Sequence, residues 1–173
     1  MKKLNKYLST ALKKGMTDAI VVETSRVYTA PWVRMKCQFG CRRYGQSLCC
    51  PPRTPSPEEM RQILDSYATG ILLRRSWGEG APPIGGFNEV MVTIEKTLFL
   101  DGYYKAWSVG SGPCTLCTSC NVAGTCANSA LARPSMEACG IDVFKTAREH
   151  AMPINVLRSK SEERQSYGLL LVE

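Results

Sequence analysis

The sequence predicts a single compact domain over residues 1–173, of α+β (or α/β) class, with a mixed sheet flanked by helices and two cysteine-rich, cluster-binding loops. Three observations carry this reading. Segments with helical apolar period alternate with short strand-like runs along the chain. A length of 173 residues is enough for one real core. The cysteines interrupt the alternation in two stretches rich in Gly, Pro and Arg.

The elements are predicted in order as follows. Residues 3–14 carry Leu4, Tyr7, Leu8, Ala11 and Leu12 on one side of an amphipathic helix. Ala19–Glu23 and Val27–Val33 read as strands leading into a first cysteine loop, Lys36–Pro55. Ser56, Pro57 and Glu59 then supply an N-cap, a first-position proline and a capping box. Met60, Ile63, Leu64 and Tyr67 follow as the core-facing stripe of that helix. Gly70–Arg75 reads as a strand, and the Gly/Pro-rich stretch Gly78–Gly86 as a loop. Asn88 is the expected cap of a helix running to Leu100, with Met91, Ile94 and Leu98 buried. Tyr103–Val109 is an expected strand, ending in Gly110-Ser-Gly-Pro113 before the second cysteine stretch. Short helical pieces are expected at Ala127–Ala132 and Ser135–Cys139, and a helix at Asp142–His150. Strands are expected at Ile154–Leu157 and Tyr167–Val172. Trp32, Trp77 and Trp107 are assigned to the core.

Nine cysteines carry the chemistry. Cys37, Cys41, Cys49 and Cys50 form one stretch; Cys114, Cys117, Cys120 and Cys126 form another; Cys139 stands alone. The second stretch reads Cys-x2-Cys-x2-Cys-x5-Cys. Thiols at steps of three let a short curved backbone aim three sulfurs at three corners of one iron–sulfur cube, with Cys126 near enough to be the fourth. Zinc is the competing metal, although it more often takes two separated Cys-x2-Cys pairs. In the first stretch the expected ligands are Cys37, Cys41 and Cys50, because adjacent cysteines rarely share one metal ion without strain and Cys50 precedes a proline. Cys49 and Cys139 are left as extra thiols that could complete that set. Otherwise one iron stays open to a small ligand. Gly40, Gly45, Gly110 and Gly112 are candidate turn points around a cofactor. The lone His150, at a helix end where a cation is favoured, is not read as a ligand.

Charge placement agrees with an anionic cofactor. The formal net charge is +7, but thiolates bound to clusters would lower it, so charge alone is a weak argument for nucleic acid. No Asp or Glu occurs from Thr24 to Pro57, where Arg26, Arg34, Lys36, Arg42, Arg43 and Arg53 lie, nor from Gly102 to Met136. Carboxylates would repel thiolate clusters, and cations favour them. The same lack of oxygen ligands excludes calcium or magnesium sites in these segments. No apolar run approaches the roughly 20 residues that span a bilayer, and the basic start lacks the apolar stretch of a signal peptide. A cytoplasmic chain with reduced thiols is expected, with no membrane and no nucleic-acid partner. Walker and dinucleotide-binding glycine motifs are absent, and a nucleophile paired with histidine would have to use His150. Cys37-x3-Cys41 copies the first step of the radical S-adenosylmethionine motif, but no cysteine follows at the required step.

The chain resembles a family of cysteine-rich, predicted metal-binding proteins, domain of unknown function 2284. The resemblance rests on Val33-Arg-Met-Lys-Cys37-x3-Cys41-x2-Tyr44-Gly45, Cys50-Pro51-Pro52, Gly112-Pro113-Cys114-x2-Cys117-x2-Cys120, Arg133-Pro134-Ser135-Met136-Glu137-Ala138 and Gly140-Ile141-Asp142-Val143. It implies a small protein of anaerobic bacteria and archaea that binds iron–sulfur clusters, with Cys37, Cys41, Cys50, Cys114, Cys117, Cys120 and Cys126 on the family's cysteine positions. It supplies no reaction. The leading expectation is an electron-transfer or accessory protein with two 4Fe–4S clusters. It would dock an acidic redox partner through Arg34, Lys36, Arg42 and Arg43. The alternatives are an enzyme with an open iron at Cys37/Cys41/Cys50 and a zinc-stabilised interaction module.

Overall fold

A computed structural model describes residues 4–78, 86–159 and 161–173. Five helices and four strands occur in the order α1 (Asn5–Lys13), β1 (Asp18–Glu23), α2 (Pro31–Gly40), α3 (Pro57–Asp65), β2 (Thr69–Trp77), α4 (Phe87–Leu100), β3 (Trp107–Val109), α5 (Val143–Glu149) and β4 (Arg164–Leu171). The sheet runs β1-β2-β4-β3. All three pairings are antiparallel, so the fold is α+β, and the sheet is not the mixed one expected.

Both faces of the sheet are covered, which is why its central strands read as nearly continuous apolar runs. Alternate residues of β2 and β4 go to opposite sides. Leu72, Tyr167, Leu169 and Leu171 pack with Met60, Leu64, Met136, Ile141 and Ala147 beneath α3 and α5. Ile71, Leu73, Leu170 and Val172 pack with Tyr7, Ala11, Met91, Ile94 and Leu98 beneath α1 and α4. Gly168 sits where α4 presses closest; a Cβ there would collide with Met91 and Phe87.

The capping box of α3 forms as predicted: Ser56 Oγ accepts from Glu59 N–H, and the Glu59 carboxylate accepts from Ser56 N–H. Met60 and Leu64 are buried, whereas Ile63 lies at the surface. At α5, Asp142 accepts from Lys145 N–H as N-cap. Met91, Ile94 and Leu98 are buried as expected.

Several expectations are corrected. Val27–Val33 is not a strand. Only Thr29 makes an isolated bridge, to Ile141, and Pro31 opens α2, its fixed φ and missing N–H suiting a first helical position. Ile154–Leu157 joins no sheet; Ile154 is buried in the core as part of an irregular segment. Residues 127–132 form turns rather than a helix, and only Glu137–Cys139 of the next piece is a 3-10 turn. Asn88 lies inside the first turn of α4, whose N-cap is Gly86. Of the three tryptophans only Trp77 is buried; Trp32 and Trp107 are 43% and 44% exposed, their rings covered on one side by Lys36 and Arg133. The Gly78–Gly86 loop falls largely outside the described residues.

His150 closes α5 with its Nε2 buried and without a hydrogen-bond partner. Burial, and then the charge of Arg26, holds the imidazole below its ordinary value of 6.5. The unfolded chain therefore binds the extra proton first as pH falls, so this contribution to stability is present above 6.5 and is lost as pH falls below it. Urea titrations of the wild type at stepped pH should show this loss, and His150→Gln should flatten that part of the profile.

Candidate metal centre

The first cysteine group begins on a helix rather than in a loop. Cys37 occupies the last turn of α2 and Cys41 follows as its C-cap, with Cys41 N–H donating to Cys37 C=O. One turn apart, the two thiols are close enough for Cys41 to act on Cys37. The chain then folds back through turns in which Gly45 adopts a left-handed φ of 71°, bringing in Cys50. Cys50 is buried; its sulfur accepts from Ser47 Oγ at 3.2 Å and its S–H lies 3.5 Å from Arg43 C=O. Burial first, and then the neighbouring Cys41 and Cys50 thiolates, push the Cys37 thiol up, while Arg34 acts in the opposite direction.

The second group lies on the long connection between β3 and α5. Cys114, Cys117, Cys120 and Cys126 line one cavity with Leu116 and Asn128 from their own loop. Ser47, Leu48 and Cys49 of the first loop complete the lining. Asn128 Nδ2 donates to Cys117 Sγ at 3.0 Å. Cys49 lines this cavity and its neighbour Cys50 does not. Burial first, then the neighbouring Cys114, Cys126 and Cys50, push the Cys49 thiol up to about 12. Cys139 joins neither group. It is 1% exposed in the core beneath α3, and burial raises it to about 12.

Helix α4 fastens the second loop at both ends. At the start, Ser111 N–H donates to Asn88 Oδ1 at 2.9 Å and Asn88 Nδ2 donates to Ser111 C=O at 3.1 Å. Gly110 beside it leaves no room for a Cβ against Asn88. At the end, Arg133 and Glu95 form a two-pronged ion pair of 2.9 and 2.5 Å, buried on both sides. Glu95 also accepts from the backbone and hydroxyl of Ser108, and Arg133 stacks 4.1 Å above Trp107. The sequence reading missed Glu95. Its signal was an acid among Met91, Ile94 and Leu98, on the face meant for the core.

Arginines join the two cysteine segments to each other and to the core. Arg53 Nε donates to Val122 C=O and its Nη1 to Gly45 C=O, each at 3.2 Å. Arg34, expected on a docking face, is turned inward instead, with its Nη1 donating to Thr54 Oγ1, Pro55 C=O and Ala138 C=O. Nor are the surroundings free of carboxylates, since Glu137 stands near enough to raise the Cys37 thiol further.

The donor set suits a soft, thiophilic group. Five thiols line the second cavity with no carboxylate or imidazole among them, and an amide N–H already serves one sulfur. Among the described residues no three Cys, His, Asp or Glu side chains converge as ligands of a single ion. The enclosed space is about 20 Å³, that of one water molecule. Between its two fastenings the loop is held by its own turns and by Arg53.

Grouped thiols on an α+β scaffold define a thiol-rich metal-binding protein. The chain belongs to the family described as "Predicted metal-binding protein (DUF2284)", whose family model matches residues 20–172. No curated protein and no solved structure matches it. Among the described residues no helix is long and apolar enough to cross a membrane.

Removing one partner of a buried ion pair leaves the other charge stranded. Glu95→Ala should therefore destabilise the metal-free protein by about 3–5 kcal/mol, read as a lower urea midpoint. Arg133→Lys, which keeps the charge but loses the fork, should cost less.

Proposed function

We propose that the chain is an iron–sulfur protein that carries two 4Fe–4S clusters and passes electrons to or from an acidic partner protein. The observation that carries this reading is the sorting of eight thiols into two adjoining groups. Cys37, Cys41 and Cys50 stand in one, and Cys114, Cys117, Cys120 and Cys126 line the other together with Cys49. When bound, such clusters supply one-electron storage at potentials set by hydrogen bonds and exposure around the sulfurs. Here Ser47 and Asn128 are the side chains that donate to them.

Both groups reach the surface, at Cys41 and Cys117, as short-range electron exchange requires. Beside the first, α2 exposes Met35 at 62% and Phe39 at 80%, with Lys36, Arg42 and Arg43 around them. An apolar patch edged by cations fits an acidic partner. Free thiols suit a reducing compartment, which supports a cytoplasmic location.

An iron, sulfide and zinc count on protein purified and reconstituted without air tests the proposal. The expected result is iron and acid-labile sulfide in equal amounts, enough for two cubes per chain, with broad absorbance near 400 nm that dithionite bleaches. Colourless protein holding zinc and no sulfide would replace this reading with the zinc-stabilised module.

One observation favours an open iron at the first centre. Cys49 turns to the other group and Cys139 packs in the core, which leaves three thiols there. An added small ligand such as azide should then change the spectrum of the centre that Cys37→Ser removes, and no change would point to a closed site.

A further inference from the structure

We propose that Cys49 is one of the four ligands of the second centre, taking the corner that one of Cys114, Cys120 and Cys126 leaves beside Cys117, while Cys50, its neighbour, is a ligand of the first, so that one peptide unit joins the two centres. This rests on the two-cluster reading. Cys49 lies in the wall of the cavity lined by Cys114, Cys117, Cys120 and Cys126, although it comes from the other cysteine segment. Of the thiols around it, Cys114 and then Cys126 act on it most strongly. Cys50 is not in that lining; its sulfur lies against Ser47 Oγ and Arg43 C=O of the first loop, where it acts on Cys37. Two adjacent thiols strain to serve one small centre, and that strain disappears when each serves its own.

The crossing is held from outside the pair. Cys49 N–H is fixed on Ser47 Oγ at 3.2 Å, and Cys50 N–H on Ser47 C=O at 3.1 Å, so one serine sets both backbones. Arg53 adds a second tie, gripping Gly45 of the first loop and Val122 of the second. Consecutive Cα atoms lie about 3.8 Å apart. Ligands springing from such neighbours keep their two centres close enough for unpaired electrons to interact. The chain would then deliver electrons from one coupled pair of sites, with the Cys41 and Cys117 edges as its two outlets.

The test uses the full chain, reconstituted with iron and sulfide without air, and electron paramagnetic resonance of the dithionite-reduced protein. Cys37→Ser and Cys117→Ser first identify the signals of the two centres. Cys49→Ser should then shift or abolish the signal that Cys117→Ser removes and leave the other unchanged, while Cys50→Ser does the reverse. Cys139→Ala serves as the control and should retain both. A Cys49→Ser protein with both signals unchanged, or with only the first altered, overturns the assignment. A second measurement needs no variant at Cys49: the fully reduced wild type should show a spectrum broadened by spin–spin interaction. A spectrum equal to the sum of the two single-centre variants overturns the close coupling. Wild type lacking sulfide would remove the two-cluster reading itself and this inference with it, whereas silent Cys49→Ser in a two-cluster protein removes this inference alone.

Discussion

The second cysteine loop depends on the buried pair between Glu95 and Arg133. Two charges taken out of water are costly, and only good geometry offsets that cost. Here the guanidinium fork meets both carboxylate oxygens, Ser108 adds two further donors to Glu95, and Trp107 covers the cation. Asn88 lies seven residues earlier on α4, two helical turns and about 10.5 Å away along the same face. It holds Ser111 as Glu95 holds Arg133. A helix that packs one face of the sheet thus fastens both ends of a loop that is otherwise held by its own turns and by Arg53.

The first loop is arranged on a different scheme. Cys37 and Cys41 take their relation from α2, whose Arg34, one turn earlier, ties that helix to Pro55 and Ala138. Gly140 supports the same corner. Its φ of 75° and the nearness of Pro57 leave no place for a Cβ. These ties reach the core beneath α3, where Cys139 packs as an ordinary apolar side chain. Cys50 arrives from the far side of the loop, so this group joins a helix end to a turn, whereas the second group is almost all turn.

Much of the fold was legible in short windows. The Ser56–Glu59 box, the Met91/Ile94/Leu98 stripe and the Asp142 cap are local physics, and each formed where residues a few positions apart demanded it. The failures share a cause. Val27–Val33 has strand-forming residues but no strand to pair with beyond Thr29, and Pro31 offers a helix start instead. Ile154 is apolar because it enters the core, not because it joins a sheet. Asn88 looks like a cap because its side chain seeks backbone groups, and it finds them at Ser111 rather than on its own helix. Trp107 is covered by a cation from a distant segment, which no local pattern reveals. The acid-free segments were read correctly as sequence, yet Glu137 reaches Cys37 from outside them.

By itself the sequence determined that helices and strands alternate in one chain, the family, and the two thiol-rich segments, because composition, period and cysteine spacing are properties of neighbours along the chain; the antiparallel pairing that makes the class α+β came from the fold. The sequence placed Cys37 and Cys41 in a loop, and only the fold puts them at the end of α2. Only the tertiary structure decided how the remaining cysteines divide. Cys49 and Cys50 are inseparable in sequence, and the fold assigns them to different groups, because the first loop lies against the second and consecutive side chains can face opposite ways. Cys139 follows Cys126 by thirteen residues, yet its place beneath α3 removes it from the cavity altogether, because burying a thiol among apolar side chains needs neighbours that the chain supplies only by folding.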